Sequence, residues 1–273
     1  MAIITISQEL AALGEETTRE LTRLMGYRLV GKKSLEENMR AGGLSESKLK
    51  KYDERRPSFI ASLSQDRDDY LHYLKTAILS EAESGNCVFT GRGANAVLGS
   101  VPAVFSVLLT ASMDIRTERV KSYFHCDDKR ARQIIEHSDQ DRGGFYRSFF
   151  DMDWRDPDNY SISLNTGISS PMVCAKMVRQ LIEQTVTPET EAMHTNCLKD
   201  LILGQRIKHH ILYTKEIPVH FLEVIVSSGS VTMYGAAQSQ VLVETALHAA
   251  REISGAAQVV CEIRVVQDYS IIA

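Results

Sequence analysis

Three stretches of this 273-residue chain carry residue types at spacings that could handle phosphate. In the first, the apolar run Ile3-Ile4-Thr5-Ile6-Ser7 enters a loop containing Gly14 and then a helix-forming segment. A strand that turns into a helix through such a loop directs backbone N–H groups and the helix's positive end at an anion, most often phosphate. The full phosphate-loop pattern is absent, because Gly14 is the loop's only glycine and no lysine precedes Lys32. Glu15 and Glu16 occupy the first helical turn, where they suit the helix dipole and repel a triphosphate. Taken alone, the segment reads more simply as a plain strand-to-helix turn.

The second stretch is Gly91-Arg92-Gly93 directly after Val88-Phe89-Thr90. There, pliant backbone and a guanidinium could meet a substrate phosphate at the carboxyl edge of a sheet. The third gathers Asp139, Asp141, Arg142, Tyr146, Arg147, Asp153, Arg155 and Asp156 among Phe145, Phe149, Phe150 and Trp154. Arginines on a mobile segment can close over a transferring phosphoryl group. A solvated loop anchored by its aromatics is an equally good reading of the same residues.

These stretches require elements to hold them. Apolar patterning predicts strands at 27–30, 88–90, 103–109 and 160–164. It predicts helices at 15–25, within 34–51, across most of 59–83, at 113–124, 128–137 and 171–184. Residues 139–157 show little periodicity. Alternation of this kind, with apolar runs covered on both faces, gives a three-layer α/β domain with a parallel sheet over 1–184. The polar run Thr185 to Glu191 contains Pro188 and suggests a linker over 185–196. Beyond it, a helix at 197–213, strands at 219–226 and 230–234, a helix at 238–253 and a strand at 259–266 make a small αββαβ domain over 197–273. The 113–121 stretch with Arg116, Arg119 and Lys121 reads as a solvated helix face.

Composition limits the rest. With 44% hydrophobic and 24% charged residues, disorder and a disulfide scaffold are excluded. Against 31 basic residues stand 35 acidic ones, so no global field draws nucleic acid. Five scattered cysteines form no metal-binding pair, and the adjacent His209 and His210 cannot face one ligand from a helix. The chain shows neither a signal core nor a transmembrane run, which predicts a cytoplasmic protein.

The run Phe89-Thr90-Gly91-Arg92-Gly93, then Leu109-Thr110-Ala111-Ser112 with Arg116 and Glu118-Arg119, resembles bacterial cytidylate kinase. The opening Ile4-Thr5-Ile6-Ser7-Gln8-Glu9-Leu10, the turn Gly26-Tyr27-Arg28-Leu29, Asp139-x-x-Arg142-x-x-x-Tyr146-Arg147, Asp153-Trp154-x-Asp156-Pro157 and Leu164-Asn165-Thr166 resemble the cytidylate kinase-like family more closely, over residues 3 to about 183. The resemblance implies a nucleoside monophosphate kinase fold, phosphorylation of CMP or a related nucleotide by ATP, and Mg2+. It implies donor-phosphate contacts from Ser7, Ala12 and Gly14, acceptor contacts from Gly91, Arg92 and Gly93, and a lid bearing Arg142 and Arg147. The family's first loop usually reads Ser-Arg-Glu-x-Gly-Ser-Gly-Gly-Arg. This chain has Gln8, Ala11, Leu13 and Glu15 in place of two arginines and two glycines, and Gly31 where related kinases carry aspartate. An active kinase and a degenerate nucleotide sensor therefore both stand as expectations.

Residues 197–271 resemble a BON domain through Val224-x-Val226, Gly229-x-Val231-x-x-x-Gly235, an alanine-rich helix and Gly255 before Val259-Val260. That resemblance implies binding of a small ligand, a lipid or a protein partner, and no catalytic residue.

Overall fold

The computed structural model describes residues 2–52, 65–255 and 258–266. It divides into two compact units, Met1–His194 and Thr195–Ala273.

In the first unit, β1 (Ile3–Gln8) is followed by α1 (Gly14–Met25), β2 (Arg28–Val30), α2 (Lys32–Ala41), α3 (Glu46–Lys51) and α4 (Gln65–Glu83). The part of the expected 59–83 helix before Gln65 lies outside the described residues. The chain continues through β3 (Cys87–Thr90), α5 (Ala94–Leu98), β4 (Val104–Thr110), α6 (Met113–Phe124), α7 (Asp128–Phe150), β5 (Ile162–Asn165) and α8 (Pro171–Thr185). The strands form one parallel sheet in the order β2-β3-β1-β4-β5. Ile4 of β1 pairs with Val88 on one side and Phe105 on the other, so β1 is central and buried. Its Ile4 and Ile6 pack with Leu21 of α1, Val107 and Leu109 of β4, and Val178 of α8. The strand order reverses at β1, with β3 to one side and β4 to the other, which opens a crevice beyond its carboxyl end.

Two helices run further than periodicity suggests. The expected irregular stretch 139–157 is helical as far as Phe150. Its buried side runs Ala131, Ile135, Asp139, Gly143, Tyr146 and Phe149, which is helical spacing, but the carboxylate of Asp139 interrupts the apolar stripe. Most of the expected linker is helix as well, broken only at Val186 and Thr187. A helix, α9, spans Pro188–His209, and Pro188 stands in its first turn, where a missing N–H is harmless. Thr187 caps that end, its Oγ1 accepting from Thr190 N at 3.3 Å while its own N donates to Thr190 Oγ1 at 2.8 Å.

The second unit carries α9 into a π-turn at His210–Thr214, then β6 (His220–Ser227), β7 (Ser230–Ala237), α10 (Gln240–Ser254) and β8 (Val259–Val265). β6 and β7 are antiparallel and β7 and β8 parallel. Ile207, Ile211, Val231, Met233, Ala246 and Ala250 lie in its core. This is the expected αββαβ order. No helix among the described residues is long and apolar enough to cross a membrane.

Candidate nucleotide site

The turn from β1 into α1 takes left-handed backbone without the glycines that usually permit it. Ala11 and Leu13, which stand where the resembled pattern has glycine, adopt left-handed backbone with φ of 63° and 53°. A side chain in that region costs about 1–2 kcal/mol, so other groups must hold the turn. Arg116 donates from Nε to Leu10 O at 2.8 Å, and Arg119 from Nη1 to Ala11 O at 2.8 Å. Arg119 also donates to Thr166 O at 2.8 Å. Burial lowers the Arg119 guanidinium pKa. Beneath the turn, Glu9 accepts from Ala111 N at 3.1 Å, and Arg116 meets both carboxylate oxygens of Asp139 at 2.7 and 2.9 Å. Arg155 joins Glu9 and Asp139 at 3.1 and 2.7 Å. Reading 113–121 as a solvated face is therefore wrong at Arg116, which is 2% exposed, and at Arg119, which is bonded to the turn.

Above the turn lies a cleft of about 570 Å³. Ser7, Gly14, Gly91, Arg92 and Arg142 all line it, with Lys32 and Arg19 adding positive charge. Three other expected residues lie elsewhere. Ala12 is buried in the core, Gly93 packs against the Phe150 ring, and Arg147 is exposed on α7 outside the cleft lining.

Arg142 bonds Gln8 O and lies over the Trp154 ring at 5.2 Å, with Arg155 also 5.2 Å from that ring. The Gln8 side chain fills the space beside Gly14, where a Cβ would collide with its Oε1. Ser7 Oγ and Tyr146 OH are 3.2 Å apart, and Tyr146 OH donates to Asn95 Oδ1 at 2.7 Å, tying the end of β1 to α7 and α5. Arg92, with φ of 55° between two left-handed glycines, donates to Tyr70 OH at 2.7 Å and Glu36 Oε1 at 2.6 Å.

The cytidylate kinase-like family pattern matches residues 3–168, well over half of the chain. The chain belongs to the cytidylate kinase-like family. A BON domain matches residues 199–267. A solved structure of an uncharacterized protein from Eubacterium ventriosum is similar at 20% identity and a TM-score of 0.53, covering 67% of this chain and 99% of that one. A looser likeness, to shikimate kinase from Acinetobacter baumannii in complex with shikimate, has 15% identity and a TM-score of 0.40, covering 67% and 94% of the two chains. No curated protein matches the sequence.

Within this kinase-like unit, the Mg2+ that the fold family implies has no protein-only cage among the described residues, and would rest on Glu15 and the substrate's own phosphates. Among the described residues no group of three His, Cys, Asp or Glu could hold a metal, and Glu15 is the cleft lining's only carboxylate. Gly31, at the amino end of α2, offers no ligand. Magnesium usually needs one or two carboxylates besides substrate phosphates.

Motif reading missed the network that holds the loop, Glu9, Arg116, Arg119, Asp139 and Arg155. The usable signal was chemical: a family-like loop that has lost its glycines needs outside support, and arginines on the helix after β4 are within reach of it.

Proposed function

We propose that the kinase-like unit binds nucleotide phosphates in this cleft and transfers a phosphoryl group from ATP to CMP or a related nucleotide. The observation that carries this reading is the left-handed backbone at Ala11 and Leu13. Left-handed backbone at non-glycine residues is costly and often gathers at ligand sites, and here side chains of α6 bond the turn that carries it. Ser7 and Gly14 would form the donor side and Gly91 and Arg92 the acceptor side, with Ala12 and Gly93 buried behind them as supports, and Arg142 and Arg147 the lid. Of the two lid residues, Arg142 already lines the cleft, whereas Arg147 would have to swing in. Transfer would rest on positioning and cationic stabilisation of the shifting charge.

A second reading, a nucleotide sensor that transfers nothing, is favoured by the Gln8 side chain beside Gly14 and by Glu15 in the first turn of α1. In either case the BON unit, taken as a module of its own over 197–273 with 185–196 as the join, would meet a small ligand, a lipid or a protein partner in the cytoplasm.

Incubation of the full chain with labelled ATP and CMP separates the readings. Label in CDP supports transfer. Saturable nucleotide binding without labelled product supports the sensor. No binding of either nucleotide removes both.

A further inference from the structure

We propose that the outer face of the β6-β7-β8 sheet is a contact surface for a second copy of this chain, packed face to face about a two-fold axis. The inference does not depend on what the cleft binds.

Side chains alternate across a strand, and burial shows which face each one takes. Val231, Met233 and Ile263 turn into the core of the second unit, so the residues between them stand on the outer face. On β8 and just past it these are Val260, Glu262, Arg264 and Val266, with Glu262, Arg264 and Val266 exposed. Register carries the same rows across the sheet. Tyr234, 43% exposed, lies between Glu223 and Glu262, and Ala236 lies between His220 and Arg264. One row is thus acid, aromatic, acid, and the next is imidazole, methyl, guanidinium.

A two-fold axis that runs between these rows, at right angles to the strands and midway between two facing sheets, sets each row on the other row of the second copy. Strand by strand, Glu262 then meets the second copy's Arg264, and Glu223 meets its His220, whose imidazole N–H donates to a carboxylate. The ring of Tyr234 meets Ala236, a large side chain over a small one. The same operation brings Val260 onto Val266. Symmetry makes every such pair twice. Aligned sheets pack about 10 Å apart, a gap that side chains of this size fill.

Among the described residues, His220, Glu223, Glu262 and Arg264 make no ion pair or side-chain hydrogen bond within the chain, which leaves them to a partner. Two carboxylates beside one guanidinium and one imidazole give no positive field, and that disfavours an anionic lipid surface. A foreign partner would have to bring both rows in the matching order. The face itself already supplies them.

Sedimentation of the full chain over a concentration series tests the proposal, comparing the parent with Glu262→Arg, Arg264→Glu and the two changes together. The parent is expected to pass from monomer to dimer. Each single change sets like charges against each other twice and is expected to weaken the dimer about ten-fold or more. The double exchange restores opposite charges and is expected to return the dimer to within about three-fold of the parent, a recovery that only direct coupling of the two residues gives. A parent that stays monomeric up to its solubility, a dimer untouched by either single change, or a double exchange as weak as the singles overturns the proposal. A monomeric parent that sediments with anionic vesicles also overturns it and gives the face to lipid. Ala236→Tyr covers the case where a charge variant does not fold, because it sets ring on ring where one ring meets a methyl. A dimer weakened about ten-fold by it supports the face-to-face contact, and an unchanged dimer overturns it.

Discussion

Arg119 Nη1 donates to Ala11 O at 2.8 Å, and by that bond a residue of α6 holds a non-glycine in left-handed backbone at the turn out of β1. The turn is thus shaped by side chains that arrive from more than 100 residues away. Glycines in a phosphate loop do the same by permitting the conformation outright.

Ala11→Gly is therefore expected to raise stability by about 1 kcal/mol, opposite to the usual cost of glycine in regular structure. Urea denaturation of parent and variant measures it. A loss of 0.5 kcal/mol or more, on the order of the ordinary glycine penalty, would show that the turn carries no strain.

Restoring the family's loop should improve donor binding. With Gln8→Arg, Ala11→Gly, Leu13→Gly and Glu15→Arg together, two positive charges are added, one negative charge is removed, and the Gln8 carboxamide leaves Gly14. Triphosphate affinity is expected to rise about ten-fold or more, equivalent to about 1.4 kcal/mol. A folded quadruple variant with unchanged affinity would mean that the loop is not where the donor sits.

Arg116 and Asp139 form a buried two-bond pair, 3% and 9% exposed. Arg116→Ala strips Asp139, Glu9 and the Leu10 carbonyl of a shared donor, and the cost of breaking such a pair is about 3–5 kcal/mol. A thermal or urea midpoint close to the parent's would show that Arg155 alone can hold both carboxylates.

In the second unit, hydrogen bonds from His210 and Lys215 pull the Glu252 carboxyl from its ordinary 4.5 to about 2. A depressed carboxyl stabilises the fold above its unfolded value and loses that contribution as pH falls through its folded one. The window is therefore about pH 4.5 down to about 2. Acid titration of Glu252→Gln beside the parent should show a shallower fall in stability there. Parallel curves would contradict the ion-pair origin of the shift.

Much of the first unit was legible from apolar runs, because the strands of a sheet covered on both faces write themselves as continuous Ile, Val and Leu. The helix to Phe150 was not, since Asp139 sits in its buried stripe and its partner Arg116 lies 23 residues back. The start of α9 at Pro188 was hidden by a first-turn proline that resembles a linker signal. Motif spacing brought Ser7, Gly14, Gly91, Arg92 and Arg142 to one cleft. It could not show that Arg92 is already paired with Glu36, because that pairing spans 56 residues and leaves no local pattern.

Isothermal titration of the full chain with a non-hydrolysable ATP analogue, and then with CMP, tests most directly whether the cleft holds nucleotide phosphate. Saturable binding is expected, with Arg142→Ala weakening the triphosphate and Arg92→Ala weakening CMP by about 1.5–3 kcal/mol each, the range for a lost hydrogen bond to a charged group. No heat with either nucleotide, or binding untouched by both substitutions, would contradict a phosphate site at this edge of the sheet.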